Sequence, residues 1–147
     1  REAGVKFIVN DDIDLAIIVD ADGIHIGQDD MPVNEARKLV GDRIIGLSTH
    51  SKEQALAAVE AGVDYIGVGP IYRTFTKDNV CDPVGEEYLD FVVKNLDIPY
   101  VAIGGIKEHN LQKIVDMGAK RVAIVTDIVE SQDIAEKTER VNKMILG

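Results

Sequence analysis

The stretch YIGVGPIYRTFTK, residues 65–77, decides the fold prediction. It begins as an apolar strand, breaks at Pro70, and continues into a loop that holds Thr74, Thr76 and Lys77. Hydroxyl groups and a cation beyond the end of a buried strand are typical of an anion-binding loop presented by a scaffold. In isolation, a polar surface loop would be the simpler interpretation. The anion-binding interpretation is favoured because the other strands of the chain end in a comparable way.

The pattern that precedes this loop recurs along the chain as a helix end, a turn that usually contains glycine, and a short apolar strand. The predicted strands cover residues 5–9, 24–27, 44–47, 63–68, 98–103 and 121–125. These strands are runs rich in Val and Ile without strict alternation. They therefore indicate a parallel sheet that is covered on both faces.

The segments between the strands have the pattern of amphipathic helices. Ser51 begins a capping box and Gly62 ends that helix, while Asn110 is predicted to cap another helix that ends at Gly118. Further helices are predicted over residues 11–19, 33–40, 86–95 and 133–146. Six strand–helix units predict an α/β fold, with right-handed connections between parallel strands.

The spacing of these units favours a (β/α)8 TIM barrel over a doubly wound sheet, because no strand leads into a GxGxxG turn. A complete barrel has eight strands, so we expect six units, strands 3 to 8, to be present. The chain, residues 1–147, is predicted to be one barrel domain that is incomplete at its N-terminus. A missing N-terminal segment or a second chain would then complete the barrel.

Composition excludes several classes of partner. The chain has 147 residues, 46% of them hydrophobic, and a formal net charge of −10. This charge argues against nucleic acid or an anionic membrane surface as the main partner, although a local cluster of donors can still bind an anionic substrate. No apolar run approaches the length of a membrane span. The single cysteine, Cys81, excludes an internal disulfide and favours a cytoplasmic location.

Small or polar residues follow all six predicted strands, which is where barrel enzymes place their active sites. They are residues 10–11, 28–30, 48–50, 74–77, 104–105 and 126. Asp11 and Asp30 follow the first two strands, and two carboxylates there would suit Mg²⁺ bound jointly with a substrate phosphate. The alternative is that Asp11 caps the following helix and Asp30 closes a turn. Asn10 could contact a ligand or close an Asx turn.

Gly104 and Gly105 allow a close approach of the backbone to a ligand, and with Thr126 they suggest a barrel phosphate site. His25 lies inside a strand and is interpreted as structural. A nucleophile–base pair of Ser48 and His50 is disfavoured because no third group orients it. For Lys77, a phosphate clamp is favoured over a Schiff base.

Taken together, these segments resemble the thiamine phosphate synthase family. The matching stretches are FIVND (7–11), DGIHIGQDD (22–30), IIGLSTH (44–50), DYIGVGPIYRTFTK (64–77), VAIGGI (101–106) and VAIVTDI (122–128). The resemblance implies a transferase that joins hydroxymethylpyrimidine diphosphate to thiazole phosphate, giving thiamine phosphate and diphosphate. The implied mechanism is dissociative, with a pyrimidine carbocation that the thiazole nitrogen captures. The family's first two strands, which include a basic diphosphate-clamping segment, have no counterpart here.

The resemblance also implies roles for individual residues. Asp11 and Asp30 would hold Mg²⁺, and Asn10 would contact the pyrimidine diphosphate. Ser48 and Lys77 are the implied catalytic residues. Ser48 would lie beside the pyrimidine and the diphosphate, and Lys77 would bind the diphosphate. The residues implied for the thiazole phosphate site are Thr74, Phe75, Thr76, Gly105, Val125 and Thr126. The family often has serine at the position of Thr126, so a hydroxyl group is kept.

Two other functions remain open from the sequence. One is a thiazole tautomerase of similar fold, which would have no use for a metal–diphosphate clamp. The other is a non-catalytic half-barrel that binds a phosphate ligand and pairs with a second chain through its open edges. Release of diphosphate in the presence of Mg²⁺ would separate the synthase from the tautomerase. A mass measurement and a titration with thiazole phosphate would separate it from the half-barrel.

Overall fold

A computed structural model of the chain describes residues 4–76 and 81–147. Its strands are β1 (Ile8–Asn10), β2 (Gly23–Ile26), β3 (Ile44–Thr49), β4 (Tyr65–Val68), β5 (Tyr100–Ile103) and β6 (Val122–Ala123). Its helices are α1 (Ile13–Ile18), α2 (Val33–Val40), α3 (Lys52–Glu60), α4 (Gly85–Asn95), α5 (Glu108–Asp116), α6 (Thr126–Val129) and α7 (Ile134–Leu146). The predicted α/β class and the six strands are confirmed.

The six strands form one parallel sheet in the order in which they occur in the chain, β1-β2-β3-β4-β5-β6. Each strand pairs in parallel with the next, and a helix connects the two. The sheet forms a half-barrel with the helices on its outside. Within the described chain, β1 and β6 are the two edges. The carboxyl ends of all six strands therefore lie at one end of the half-barrel.

The two faces of this sheet differ more than the sequence pattern predicts. Residues that point outward pack beneath the helices and are buried, as Ile24, Ile45 and Ile66 show. Residues that point inward alternate with them, and register places His25 beside Gly46 and Gly46 beside Tyr65. The prediction that both faces are covered is therefore wrong for the described chain, since the inner face is partly exposed at His25, Ser48 and Ile103.

Side-chain hydrogen bonds to the backbone mark the N-termini of α3 and α5. Ser51 caps α3 as predicted, with its Oγ accepting from the Gln54 backbone N–H at 3.3 Å. The prediction for Asn110 is wrong, because α5 already begins at Glu108. Asn110 instead lies in the first turn, where its Oδ1 accepts from the Lys107 backbone N–H at 2.8 Å. This contact satisfies a backbone donor at the N-terminus of α5.

The last predicted strand, residues 121–125, is much shorter in the structure. Strand β6 covers only Val122–Ala123, and Val125 leaves the extended conformation with ψ at −82°. The short helix α6 starts directly after it, at Thr126. Thr126 therefore lies in the first turn of a helix and not at the end of a strand.

Among the described residues, no helix combines the length and apolar character needed to cross a membrane.

Candidate active site

One cavity of about 240 Å³ opens at the carboxyl ends of the strands. Its walls come from all six strands and from the loops that follow them. Polar side chains from several strands converge on it, and no Asp or Glu is among the described residues that line it. The lining residues are Asn10, His25, Ser48, His50, Gly67, Gly69, Pro70, Thr74, Thr76, Ile103, Gly104, Gly105, Ile106, Ala123, Val125 and Thr126.

A second hollow, of about 480 Å³, lies around the strand-start turns at residues 20–22 and 40–43. It is wide open, and its one basic side chain, Arg43, is already paired with Asp20 at 3.0 Å. Turn residues at this end of a barrel serve stability more than chemistry. The smaller cavity at the carboxyl ends is therefore the candidate active site.

The end of β1 carries the first pair of predicted ligands. Asn10 lines the cavity, whereas Asp11 is exposed beside it and adopts the left-handed conformation with φ of 65°. The Asp11 backbone N–H donates to the His25 carbonyl at 2.8 Å, which ties this turn to β2. The side chain that caps α1 belongs to Asp12, whose Oδ1 accepts from the Leu15 N–H at 2.8 Å. The alternative interpretation of Asp11 as the helix cap is therefore wrong.

Asp30 lies in the turn that follows β2, the strand that pairs with β1. Its Oδ2 accepts from the Gly27 backbone N–H at 2.6 Å, so the side chain does close a turn. That contact uses one of the two carboxylate oxygens. Asp11 and Asp30 thus follow adjacent strands at the end of the sheet that holds the cavity, and neither is among its lining residues.

The fit of Mg²⁺ to these residues can be judged from the donor set. Among residues 4–76 and 81–147, no group of three or more His, Cys, Asp or Glu side chains is arranged to hold a metal ion. Mg²⁺ does not require such a group, because it is usually bound through one or two carboxylates together with waters and substrate phosphates. Asp11 and Asp30 supply hard oxygen donors of this kind, so the residues present fit Mg²⁺ as a partner of a phosphorylated substrate.

Ser48 lies near the carboxyl end of β3 and faces the cavity. Its Oγ is 2.9 Å from Nε2 of His25, whose Nδ1 is 2.9 Å from the Tyr65 hydroxyl oxygen. The Gln28 side chain donates to the Ser48 carbonyl at 2.6 Å and holds the backbone in place. Ser48 is therefore bonded to His25 and not to His50, which agrees with the disfavoured Ser48–His50 pair.

His50 follows β3 and lines the same cavity. Its Nδ1 is 2.6 Å from the Gly69 carbonyl oxygen, which can only accept a hydrogen bond. The proton of a neutral His50 ring is therefore held on Nδ1. The His50 backbone N–H donates to Gln54 Oε1 at 2.7 Å, which links the residue to the first turn of α3.

The loop after β4 carries the two threonines predicted to line the site. Thr74 and Thr76 both line the cavity, and their hydroxyl oxygens are 3.0 Å apart. Phe75 points away, with 84% of its surface exposed and its ring 5.6 Å from the Arg73 guanidinium. Lys77 lies outside the described residues.

Tyr72 anchors the start of this loop to the helical layer. Its hydroxyl donates to Glu86 Oε1 at 2.9 Å, and Glu86 pairs with Lys113 at 2.7 Å. Burial and the adjacent Glu86 carboxylate raise the pKa of Tyr72 to about 12. The phenol therefore stays protonated and holds this bond throughout the neutral pH range.

The Gly104–Gly105 turn after β5 shows why glycine is needed there. Both residues have positive φ, 97° and 63°. A methyl group at Gly104 would overlap Pro70, and one at Gly105 would lie 2.6 Å from the Arg73 carbonyl oxygen. What approaches these glycines closely is therefore the chain's own 70–73 segment, although both also line the cavity.

The last wall of the cavity is formed by Val125 and Thr126, at the start of α6. Asp127 fixes α6 by accepting from the Glu108 backbone N–H at 2.9 Å and pairing with Lys137 at 2.9 Å. Lys137 also pairs with Glu108 at 2.7 Å, so α7 binds the first turns of both α5 and α6.

These ion pairs shift the ionisation of the groups that form them. The hydrogen bond from Lys137, with a second from Arg140, lowers the pKa of Glu108. Burial alone would raise the pKa of Asp127, but the hydrogen bonds from Lys137 and from the Glu108 N–H outweigh it and lower that pKa. The same contacts raise the pKa of Lys137. All three groups are therefore charged near neutral pH.

Sequence reasoning placed His50 at the correct end of the sheet but assigned it no role, whereas it missed His25 and the apolar wall formed by Ile103, Ile106 and Ala123. A signal for His25 was present in the sequence. It alternates with Ile24 and Ile26, which are both buried outward, so the period of two places it on the inner face with Ser48.

Comparisons with known proteins agree on one family. A sequence model described as thiamine monophosphate synthase matches residues 1–128. The chain is 62% identical over 146 residues to a thiamine-phosphate synthase from Pelotomaculum thermopropionicum, covering 99% of this chain and 67% of the relative. It is 52% identical to one from Lawsonia intracellularis, covering 99% of this chain and 68% of the relative. It therefore spans about two thirds of the length of these relatives.

Solved structures give the same result. A thiamine phosphate pyrophosphorylase from Pyrococcus furiosus superimposes with a TM-score of 0.91 at 35% identity, covering 99% of this chain and 70% of that one. A 3-hexulose-6-phosphate synthase from Salmonella typhimurium, at 16% identity and a TM-score of 0.67, covers 91% of this chain and 66% of that one and shares the fold. The chain belongs to the thiamine monophosphate synthase family.

Proposed function

We propose that this chain, as a member of that family, is a transferase of thiamine biosynthesis that joins hydroxymethylpyrimidine diphosphate to thiazole phosphate. The products would be thiamine phosphate and diphosphate. The observation that carries the proposal is the convergence on one cavity of seven residues expected to bind these substrates. They are Asn10, Ser48, Thr74, Thr76, Gly105, Val125 and Thr126.

The cavity suits a reaction that needs positioning and charge neutralisation more than proton transfer. In the proposed step the bond between the pyrimidine methylene carbon and the diphosphate oxygen breaks, and the electron pair leaves with diphosphate. The thiazole nitrogen then donates its lone pair to the methylene carbon, so the charges balance without an added oxidant or base. Holding the two substrates in line is the main contribution expected of the protein.

The residues divide between the two substrates. Asn10 and Ser48, on β1 and β3, would contact the pyrimidine diphosphate, and Lys77 would bind its diphosphate. Thr74 and Thr76 offer hydroxyl groups, and the turns at Gly105 and Thr126 offer backbone N–H groups, to the thiazole phosphate. For Phe75 only a contact at the outer rim is proposed, since its side chain points away from the cavity.

Asp11 and Asp30 are proposed to hold Mg²⁺, as their place after adjacent strands supports. When bound, the ion would neutralise charge that develops on the leaving diphosphate. The protein's own contribution is to orient the two carboxylates. The Asp11 N–H bond to the His25 carbonyl fixes one turn, and the Asp30 bond to the Gly27 N–H fixes the other.

We also propose that the six strand–helix units are strands 3 to 8 of a single eight-stranded barrel domain. The match to 70% of the length of the Pyrococcus furiosus structure supports this, as does the presence of one edge each at β1 and β6 in the described sheet. A further segment or a second chain would then pair with these edges. A cytoplasmic location stays a prediction.

The test is to mix the protein with both substrates and Mg²⁺ and to follow thiamine phosphate and diphosphate together. We expect Asp11→Asn and Asp30→Asn each to lower the rate at least ~100-fold, because a Mg²⁺ site built on two carboxylates then keeps only one. Asp12→Asn is the matched control, since it removes the same charge one position away and Asn still caps a helix well.

An equal loss in Asp12→Asn would show that net charge, and not a metal site, controls the rate. Turnover of thiazole phosphate without release of diphosphate would favour the tautomerase. Binding of both substrates with no turnover would favour a non-catalytic half-barrel.

A further inference from the structure

We infer that Tyr65 and His25 are positioning residues that fix the direction in which the Ser48 hydroxyl donates its hydrogen. The inference rests on the proposed function, which gives Ser48 a contact with substrate. Three side chains from three neighbouring strands form the chain of contacts, His25 on β2, Ser48 on β3 and Tyr65 on β4. Both links, Tyr65 hydroxyl to Nδ1 and Nε2 to Ser48 Oγ, are 2.9 Å long.

The register of the sheet shows how the first link is built. His25 pairs with Gly46 on β3, and Gly46 pairs with Tyr65 on β4, so the two rings flank a residue without a side chain. The Tyr65 ring lies over Gly46, where a methyl group would overlap Cζ of the ring. The two ring centroids are 5.4 Å apart. Glycine at position 46 therefore creates the space through which Tyr65 reaches His25.

A second glycine makes the second link possible. Ser48 pairs with Gly67 on β4, two residues further along the inner face. A methyl group at Gly67 would lie 3.2 Å from Cε1 of the His25 ring, closer than ordinary contact allows. The imidazole therefore extends over Gly67 to reach Ser48. Two glycines and two rings interlock on the inner face, which a purely space-filling role for His25 would not require.

The chemistry of the groups sets the direction of donation. Burial raises the pKa of the Tyr65 phenol, which stays protonated. A phenol is a stronger acid than the N–H of a neutral imidazole, so the better-matched bond has Tyr65 donating to Nδ1. The ring proton then lies on Nε2 and is donated to Ser48 Oγ. This arrangement leaves the Ser48 hydrogen for the cavity, so the substrate atom that faces it must be a hydrogen-bond acceptor.

The opposite direction would have a different consequence. If Nδ1 carried the proton, Nε2 would accept from Ser48, and the serine could offer only lone pairs to a ligand. A diphosphate oxygen or a ring nitrogen would then meet an acceptor. The Tyr65 hydroxyl is thus the group that decides whether Ser48 attracts or repels such an atom.

The first test measures the protons directly and does not depend on activity. Two-bond 1H–15N correlation spectra of the labelled protein, recorded at about pH 8, which is above the ordinary pKa of an imidazole, would be assigned with His25→Gln. We expect a single His25 form with its proton on Nε2, and a displaced Nδ1 resonance in Tyr65→Phe. Tyr100→Phe is the control, because its hydroxyl is also half-buried but donates to the Gly118 carbonyl. A proton on Nδ1 in the unsubstituted protein would overturn the inference.

The second test is a double-mutant cycle on the rate of diphosphate release. Tyr65→Phe and Ser48→Ala should each lower kcat roughly tenfold, the effect of one lost hydrogen bond in the transition state. In the Ser48→Ala background, Tyr65→Phe should change kcat by less than about twofold, because the hydroxyl that it orients is gone. Full additivity of the two losses would overturn the positioning role. Absence of any turnover in the unsubstituted protein would count against the proposed function, while the spectra would still decide the hydrogen-bond chain.

Discussion

The outer and inner faces of the sheet are made by the same strands, yet they use opposite kinds of residue. The outer face carries Ile and Val side chains that are buried beneath helices. Thr49, the one buried polar residue among those that the structure describes, bonds to the Gly67 carbonyl and the Tyr88 hydroxyl. The inner face of β2, β3 and β4 carries two glycines and the bonded side chains of His25, Ser48 and Tyr65, while Ile103 of β5 lines the cavity. The residues that stabilise the fold and the residues that shape the site therefore alternate along each strand.

The largest expected effect comes from making the same substitution, Ile to Ala, once on each face. Ile66 is completely buried on the outer face of β4, whereas Ile103 lies on the inner face of β5 with 39% of its surface exposed. We expect Ile66→Ala to lower the free energy of unfolding by about 2–5 kcal/mol, because it leaves a cavity in a packed core. Ile103→Ala should cost less than about half of that. Urea denaturation with matched m-values measures both.

Equal losses at the two positions would contradict the comparison. They would mean that the inner face is as tightly packed in solution as the outer face.

A smaller effect is expected when bulk is added to the inner face. Gly46→Ala would force Tyr65 aside, and overpacking of this kind costs about 1–3 kcal/mol. The substitution should also displace the His25 ring and lower activity. Measured by the same denaturation method in a Tyr65→Ala background, Gly46→Ala should lose most of its cost, because the overlapping ring is gone. A cost that persists there would show that strand geometry, and not the ring, requires glycine.

The smallest effect concerns the helical layer outside the outer face. The pKa of Glu108 is lowered in the folded protein by its bonds to Lys137 and Arg140. Its contribution to stability is therefore fully present above its ordinary pKa of 4.5 and is lost as the pH falls through the lowered value. We expect the free energy of unfolding to fall more steeply with acid in the unsubstituted protein than in Glu108→Gln, as thermal unfolding between pH 7 and 3 would measure.

Glu139→Gln is the control for this acid dependence, since Glu139 forms an exposed pair with Lys143 within α7. Exposed pairs of this kind contribute little, so its profile should follow that of the unsubstituted protein. An identical slope for Glu108→Gln would exclude the ion pairs of α7 as the source of acid sensitivity.

Much of the fold could be predicted because strand identity and order depend on local patterns. The glycine turns and Val/Ile runs predicted all six strands, and polar residues at their ends predicted which end would hold the cavity. The alternation between outward and inward residues was harder to recognise in the sequence. Gly46 and Gly67 lie at inward positions, and a glycine does not mark a position as polar. The role of His25 depends on register between three strands, and register is a tertiary property that one sequence does not show.

The N-terminus of α5 was mispredicted, and α6 was not predicted at all, for a related reason. Asn110 has the residue type of a cap, but its side chain bonds backward to Lys107 from inside the helix. Thr126 lies three residues after the end of β6, where Val125 turns the chain into α6. In both places a tertiary contact, the Asp127 bond to the Glu108 N–H, fixes the helix start.

Helix α7 supports the wall of the cavity although it lies beyond the residues that match the family model. The family match covers residues 1–128, but the lysine that holds α5 and α6 together is Lys137. A chain cut at the end of the match would keep every lining residue of the cavity and lose the brace behind Val125 and Thr126. The residues that match the family therefore end before the residues that hold its site in place, which extend at least to Lys137.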